Sequence, residues 1–112
     1  MLMYRIAICD DEKSTCAEIE SYILMYSKLR FIRNEIEVFY SGEAFCEYVK
    51  QGNFFDLLFL DIELPAINGI EVGKFVRTSL GDEKMDIIYI SSKINYAMQL
   101  FQNRPMDFLV KP

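Results

Sequence analysis

A chain of 112 residues holds one core and excludes a second independent domain. Hydrophobic residues at 52% and charged residues at 26% supply enough apolar surface to offset chain entropy, which excludes intrinsic disorder. Twelve Lys and Arg against 17 Asp and Glu leave a net charge of −5, the wrong sign for a segment that neutralises nucleic-acid phosphates directly.

Five short runs rich in β-branched and aromatic residues read as strands: Tyr4 to Cys9, Ile36 to Tyr40, Leu57 to Leu60, Ile87 to Ile90 and Phe108 to Val110. Helical periods fill the gaps between them. The first helix is expected over 14 to 29, with Cys16, Ile19, Ile23 and Tyr26 on its buried face and a capping box at Thr15 and Glu18. The second starts at Ser41 as N-cap, buries Ala44, Phe45, Tyr48 and Val49, and ends near Gly52-Asn53. A third begins at Asn68 with Glu71 at its third position and Val72 and Val76 turned inward, and Gly81-Asp82 stops it. The fourth carries Ala97, Leu100 and Phe101 and stops at Asn103-Arg104-Pro105, because proline disfavours helical geometry in the residue before it.

Strict alternation of strand and helix implies right-handed βαβ units, a parallel sheet and helices on both faces. The second strand alternates Glu35, Ile36, Glu37 and Val38, as an edge strand does, whereas Leu57-Leu58-Phe59-Leu60 has no polar face and belongs in the middle. A flavodoxin-like order of 2-1-3-4-5 satisfies both and places ligands at the carboxyl ends of the strands. No apolar run reaches a membrane span, and Met1-Leu2-Met3-Tyr4-Arg5 lacks the order of a signal peptide. The reading is a cytoplasmic domain with no membrane partner.

The strand ends carry the chemistry. Asp10 and Asp11 follow strand one, Asp61 strand three, Ser91 strand four and Lys111 strand five. Each taken singly is an ordinary polar loop residue; together they mark a site. Neighbouring strands one and three bring the three acids within a few ångströms, and at about 5 Å and an effective dielectric of about 20 each pair repels by about 3 kcal/mol. Such a cluster calls for a cation. The chain has no His and its three cysteines, Cys9, Cys16 and Cys46, show no metal-ligand spacing. Oxygen-only ligands therefore suit Mg²⁺, with Asp11 and Asp61 bound directly and Asp10 through water. A carboxylate beside Mg²⁺ is ionised at neutral pH and attacks a phosphoryl group without a general base, while Lys111 and Ser91 hold the phosphoryl oxygens.

In order, Ile8-Cys9-Asp10-Asp11-Glu12, then Phe55 to Pro65 with Asn68-Gly69-Ile70-Glu71, then Ile90-Ser91, then Asp107-Phe108-Leu109-Val110-Lys111-Pro112, the chain resembles the receiver domain of two-component response regulators over its whole length. The resemblance implies a CheY-like fold, Asp61 as phosphoacceptor, Asp10 and Asp11 as metal acids and Glu63 as a backbone-carbonyl metal ligand. It further implies Ser91 as switch hydroxyl, Lys111 as active-site lysine, Phe108 as the aromatic that rotates inward on activation, and a cis Lys111-Pro112 bond. A sensor histidine kinase is then the donor. The stretch Asn95 to Phe101 with Met106-Asp107-Phe108-Leu109 looks most like receivers joined to LytTR-type DNA-binding domains.

Three departures stand out against that family. Ser92 replaces the usual small residue, Glu63 sets an acid beside the path of attacking water, and the chain stops at Pro112 before the fifth helix. Residues 1–112 are therefore expected to be a receiver fragment of a longer regulator with a C-terminal DNA-binding domain. An uncovered sheet face predicts self-association as a homodimer, or reduced stability. The basic stretch Lys28 to Arg33 is either a docking patch or a favourable charge at the end of helix one. Two other readings stay open: a pseudo-receiver that binds partners without phosphorylation, and a haloacid dehalogenase-type phosphatase. The latter places its nucleophile on the first strand in an Asp-x-Asp motif, which Asp61-Ile62-Glu63 does not form.

Overall fold

Strands alternate along the sequence with segments of helical period, and among the described residues the structure arranges them as one doubly wound layer. The computed structural model describes residues 3–91 with their side chains and 107–110 as backbone. In chain order the elements are β1 (Met3–Cys9), α1 (Lys13–Arg30), β2 (Arg33–Phe39), α2 (Gly42–Lys50), β3 (Leu57–Asp61), α3 (Gly69–Lys74), β4 (Asp86–Ser91) and β5 (Asp107–Val110). All strand pairs are parallel, in the order β2-β1-β3-β4-β5. This is the flavodoxin-like order expected from the edge pattern of β2 and the apolar run of β3. The fourth predicted helix, Ser92, Lys111 and the Lys111-Pro112 bond lie outside the described residues.

Alternation along β1 sorts the two faces. Ala7 and Cys9 join Leu58, Leu60, Ile87 and Tyr89 in a core closed by Phe45 and Val49 of α2 and Val72 of α3. Four rings, Phe39, Phe45, Tyr48 and Phe55, pack within that layer at centroid separations from 5.3 to 6.0 Å, which ties α2 to the sheet. On the opposite face Ile6, Leu57 and Phe59 meet Tyr22, Ile23 and Tyr26 of α1 around a groove of about 440 Å³. Leu57 and Phe59 are only half-buried there, although β3 is flanked by β1 and β4.

Helix α1 departs from its predicted cap and face. It begins at Lys13 with Glu12 as N-cap and no side-chain cap, so Thr15 and Glu18 form no capping box and lie inside the first turns. Tyr26 is exposed and Ser27 is buried in its place. The cause is polar: the Ser27 hydroxyl donates to the Ile23 carbonyl and accepts from the Asn34 side-chain amide, which rolls the last turns toward β2. Apolar periodicity carries no trace of such a tether. The chain leaves α1 through Phe31 in the left-handed region (φ 56°), whose N–H donates to the Ser27 carbonyl.

The other two caps match the sequence. Ser41 accepts from the Ala44 N–H at 3.1 Å. Asn68 accepts from the Glu71 N–H while the Glu71 carboxylate accepts from the Asn68 N–H, a complete capping box. Helix α3 is shorter than its apolar period suggests and widens into a π-helical turn over Phe75–Ser79, where the Leu80 N–H donates to the Phe75 carbonyl. Val76 stays fully buried on this turn, and Gly81 (φ 65°) ends the segment.

Candidate functional site

The site is assembled by strand register. Cys9 pairs with Leu60 across β1 and β3, so the next residues, Asp10 and Asp61, emerge side by side at the carboxyl edge of the sheet. Asp61 pairs in turn with Ile90 of β4, which sets Ser91 one position beyond it. Asp10, Asp61 and Ser91 are all buried, and Asp11 is exposed beside them. Carboxylate oxygens of Asp10, Asp11 and Asp61 all lie within 4.8 Å of one another. The convergence expected of these three acids is therefore present.

Two local turns aim the buried acids. Asp10 Oδ1 accepts from the Glu12 N–H at 2.9 Å, and Asp61 Oδ1 accepts from the Glu63 N–H at 3.0 Å. In each case the side chain captures the backbone two residues on, which fixes its rotamer where the strand gives way to a loop. The Asp10 carbonyl also accepts from the Cys16 thiol at 3.3 Å, joining this loop to α1. Burial pushes the Cys16 thiol up to about 11, and drives the Cys9 thiol higher still. Both are neutral packing groups at pH 7.

The loop after Asp61 is held from below by α3. The Gly69 N–H donates to the Ile62 carbonyl at 2.9 Å, and a Cβ on Gly69 would lie 2.2 Å from the Asp61 carbonyl oxygen. Only glycine permits that approach. Ile62 N–H donates to the Ile90 carbonyl, extending the β3–β4 pairing one residue past the strand.

Glu63 does more than its sequence position indicates. Its carboxylate Oε1 accepts from the Ser91 hydroxyl at 2.5 Å, in addition to its backbone contact with Asp61. The sequence reading gave its carbonyl a part as metal ligand and set its carboxylate beside the path of attacking water; the bond between that carboxylate and Ser91 is additional. Lys111 lies outside the described residues, but Val110 before it pairs with Ser91. Phe108 is in backbone register with Tyr89 on β5.

Three carboxylates, two of them buried, form a donor set of hard oxygens without sulfur or imidazole, which fits Mg²⁺. A doubly wound parallel sheet with such acids at the ends of two adjacent inner strands defines a CheY-type α/β domain. The chain belongs to the response regulator receiver domain family, whose model matches residues 6–112.

Its relatives include regulators of LytT and LytR type. The sensory transduction protein LytT of Bacillus subtilis is 32% identical over 110 residues, covering 98% of this chain and 43% of that protein. The transcriptional regulatory protein LytR of Staphylococcus aureus is 33% identical over 101 residues, covering 84% and 39%. The chain spans less than half the length of these curated relatives. Among solved structures, the response regulator TrrA from Thermotoga maritima, in complex with Mg²⁺-BeF, superposes with a TM-score of 0.80 at 28% identity, covering 98% of this chain and 88% of that one. The response regulatory domain of mrkE from Klebsiella pneumoniae gives 0.82 at 25% identity, covering 96% and 83%. No helix among the described residues is long and apolar enough to cross a membrane.

Proposed function

We propose that this chain is the phosphoacceptor switch of a two-component system, taking a phosphoryl group onto Asp61 from a sensor histidine kinase. The observation that carries the reading is the meeting of the Asp10, Asp11 and Asp61 oxygens within 4.8 Å at the strand ends. Asp10, Asp11, Asp61 and the Glu63 backbone carbonyl would hold Mg²⁺. When bound, that ion neutralises the clustered charge and the developing charge on the transferred phosphoryl group.

The Glu63 N–H fixes one Asp61 oxygen, orienting the carboxylate for in-line attack on phosphorus. An Asp61 oxygen forms the new O–P bond while the P–N bond of the phosphohistidine breaks, and the imidazole leaves with the electron pair. These 112 residues contain no His, so that donor lies outside them. Ser91 then donates its hydroxyl to a phosphoryl oxygen, and Lys111 pairs with another. Ser91 sits on β4 and Phe108 on the adjacent β5, so capture of the hydroxyl is transmitted to the β5 edge of the sheet.

The output in this reading is a LytTR-type DNA-binding domain C-terminal to residues 1–112, with regulator dimers as the active form in the cytoplasm. The domain acts as a switch and not as an enzyme with turnover. Intact-mass measurement after incubation with acetyl phosphate and Mg²⁺ tests it: one added phosphoryl group on the wild type and none on Asp61→Asn is expected. No addition to the wild type supports the pseudo-receiver reading, and equal labelling of both forms refutes Asp61 as the acceptor.

A further inference from the structure

We infer that the Glu63 carboxylate is a latch on the Ser91 hydroxyl, occupying it until a phosphoryl group on Asp61 takes it away, so that Glu63 sets the threshold of the switch. The inference rests on the phosphoacceptor reading above and adds a positioning residue to it. Three observations carry it.

First, the Ser91 hydroxyl donates to Glu63 Oε1, a side-chain bond between residues 28 apart in sequence. Second, Glu63 is anchored by its own N–H on Asp61 Oδ1, so its carboxylate is delivered to Ser91 from the residue that would carry the phosphoryl group. Third, Ser91 is fully buried at the end of β4 and only partly buried Glu63 covers it.

A serine hydroxyl has one proton to donate. While that proton is hydrogen-bonded to Glu63 it is not available to a phosphoryl oxygen, so capture exchanges one hydrogen bond for another. The displaced Glu63 carboxylate turns to solvent, which its partial exposure allows. Glu63 thus opposes activation through Ser91 without touching the reacting atoms. A negative charge near an incoming anion also repels it, but that repulsion acts whether or not Ser91 has a hydroxyl. The two effects are separable.

The test is a double-mutant cycle on the full-length protein, with beryllofluoride and Mg²⁺ as the phosphoryl mimic. The fluorine-19 resonance of bound beryllofluoride gives its affinity in wild type, Glu63→Ala, Ser91→Ala and the double variant. Removing the latch should raise affinity about tenfold in the Ser91 background, the scale of one charge-assisted hydrogen bond. In the Ser91→Ala background the gain should shrink to about twofold, the residue of charge repulsion on a half-exposed group. Glu63→Gln, which keeps the acceptor and the side-chain volume, should give a smaller gain with the same dependence on Ser91, and it serves should Glu63→Ala fail to fold. Equal gains in both backgrounds, or no gain at all, would overturn the latch while leaving the phosphoacceptor reading intact. Absence of any bound signal in the wild type would overturn both.

Discussion

Neutralising Asp10 should stabilise the metal-free protein, against the usual direction for changing a buried residue. Asp10 is fully buried and its oxygens lie within 4.8 Å of those of Asp61, also buried, and of exposed Asp11. At an effective dielectric of about 20 the Asp10–Asp61 pair repels by about 3 kcal/mol, and solvent screening reduces the Asp10–Asp11 pair to about 1 kcal/mol. Relaxation and counter-charges halve such a sum, leaving about 2 kcal/mol to be recovered in Asp10→Asn. The asparagine oxygen still accepts the Glu12 N–H that Asp10 Oδ1 holds. For a domain of this size the gain corresponds to a rise in Tm of about 8 °C in EDTA. Magnesium should narrow the gap: at tenfold over its Kd it stabilises the wild type by about 1.4 kcal/mol and the variant by little. Thermal and urea denaturation with EDTA or Mg²⁺ measure both effects. A variant less stable than wild type in EDTA, with equal Mg²⁺ responses, would refute the charge-cluster reasoning.

Gly69→Ala sets a Cβ against the Asp61 and Ile62 backbone and should destabilise the fold by at least about 3 kcal/mol in urea titration, since backbone atoms cannot step aside. Asn68→Ala removes the side-chain acceptor of the α3 capping box while its backbone N–H still reaches Glu71, and should cost about 1 kcal/mol by the same measurement. The raised Cys16 pKa means that the folded protein retains a proton which the unfolded chain releases near pH 9. Its stabilising share is therefore complete below pH 9 and is lost as pH rises toward 11. Urea midpoints should fall across that window and fall less in Cys16→Ala; identical slopes in the two proteins would contradict the assignment.

Much of this fold is legible because each signal has one physical cause. The alternation of Glu35, Ile36, Glu37 and Val38 can only serve a strand with one wet face, and β2 is indeed the sheet edge. Asn68 and Glu71 satisfy orphan N–H groups at a fixed spacing, so their box was readable without coordinates. The Thr15-Glu18 pair has that same spacing and caps nothing, because the Asp10-Asp11-Glu12 loop turns early and α1 begins at Lys13. Spacing alone cannot tell a cap from an interior turn. The burial of Ser27 over Tyr26 depends on a partner, Asn34, from another element, and the side-chain bond between Ser91 and Glu63 joins residues 28 apart. Long-range polar contacts of this kind have no period to detect. Acids at strand ends were readable because the parallel topology fixes which ends are neighbours.

The central claim is tested most directly by locating the modified residue. After exposure to acetyl phosphate and Mg²⁺, borohydride reduction of the acyl phosphate followed by peptide mass spectrometry should place the reduced side chain at Asp61 alone, and EDTA should abolish it. Reduction at Asp10 or Asp11 instead, or the same yield at Asp61 with and without the cation, would contradict the account.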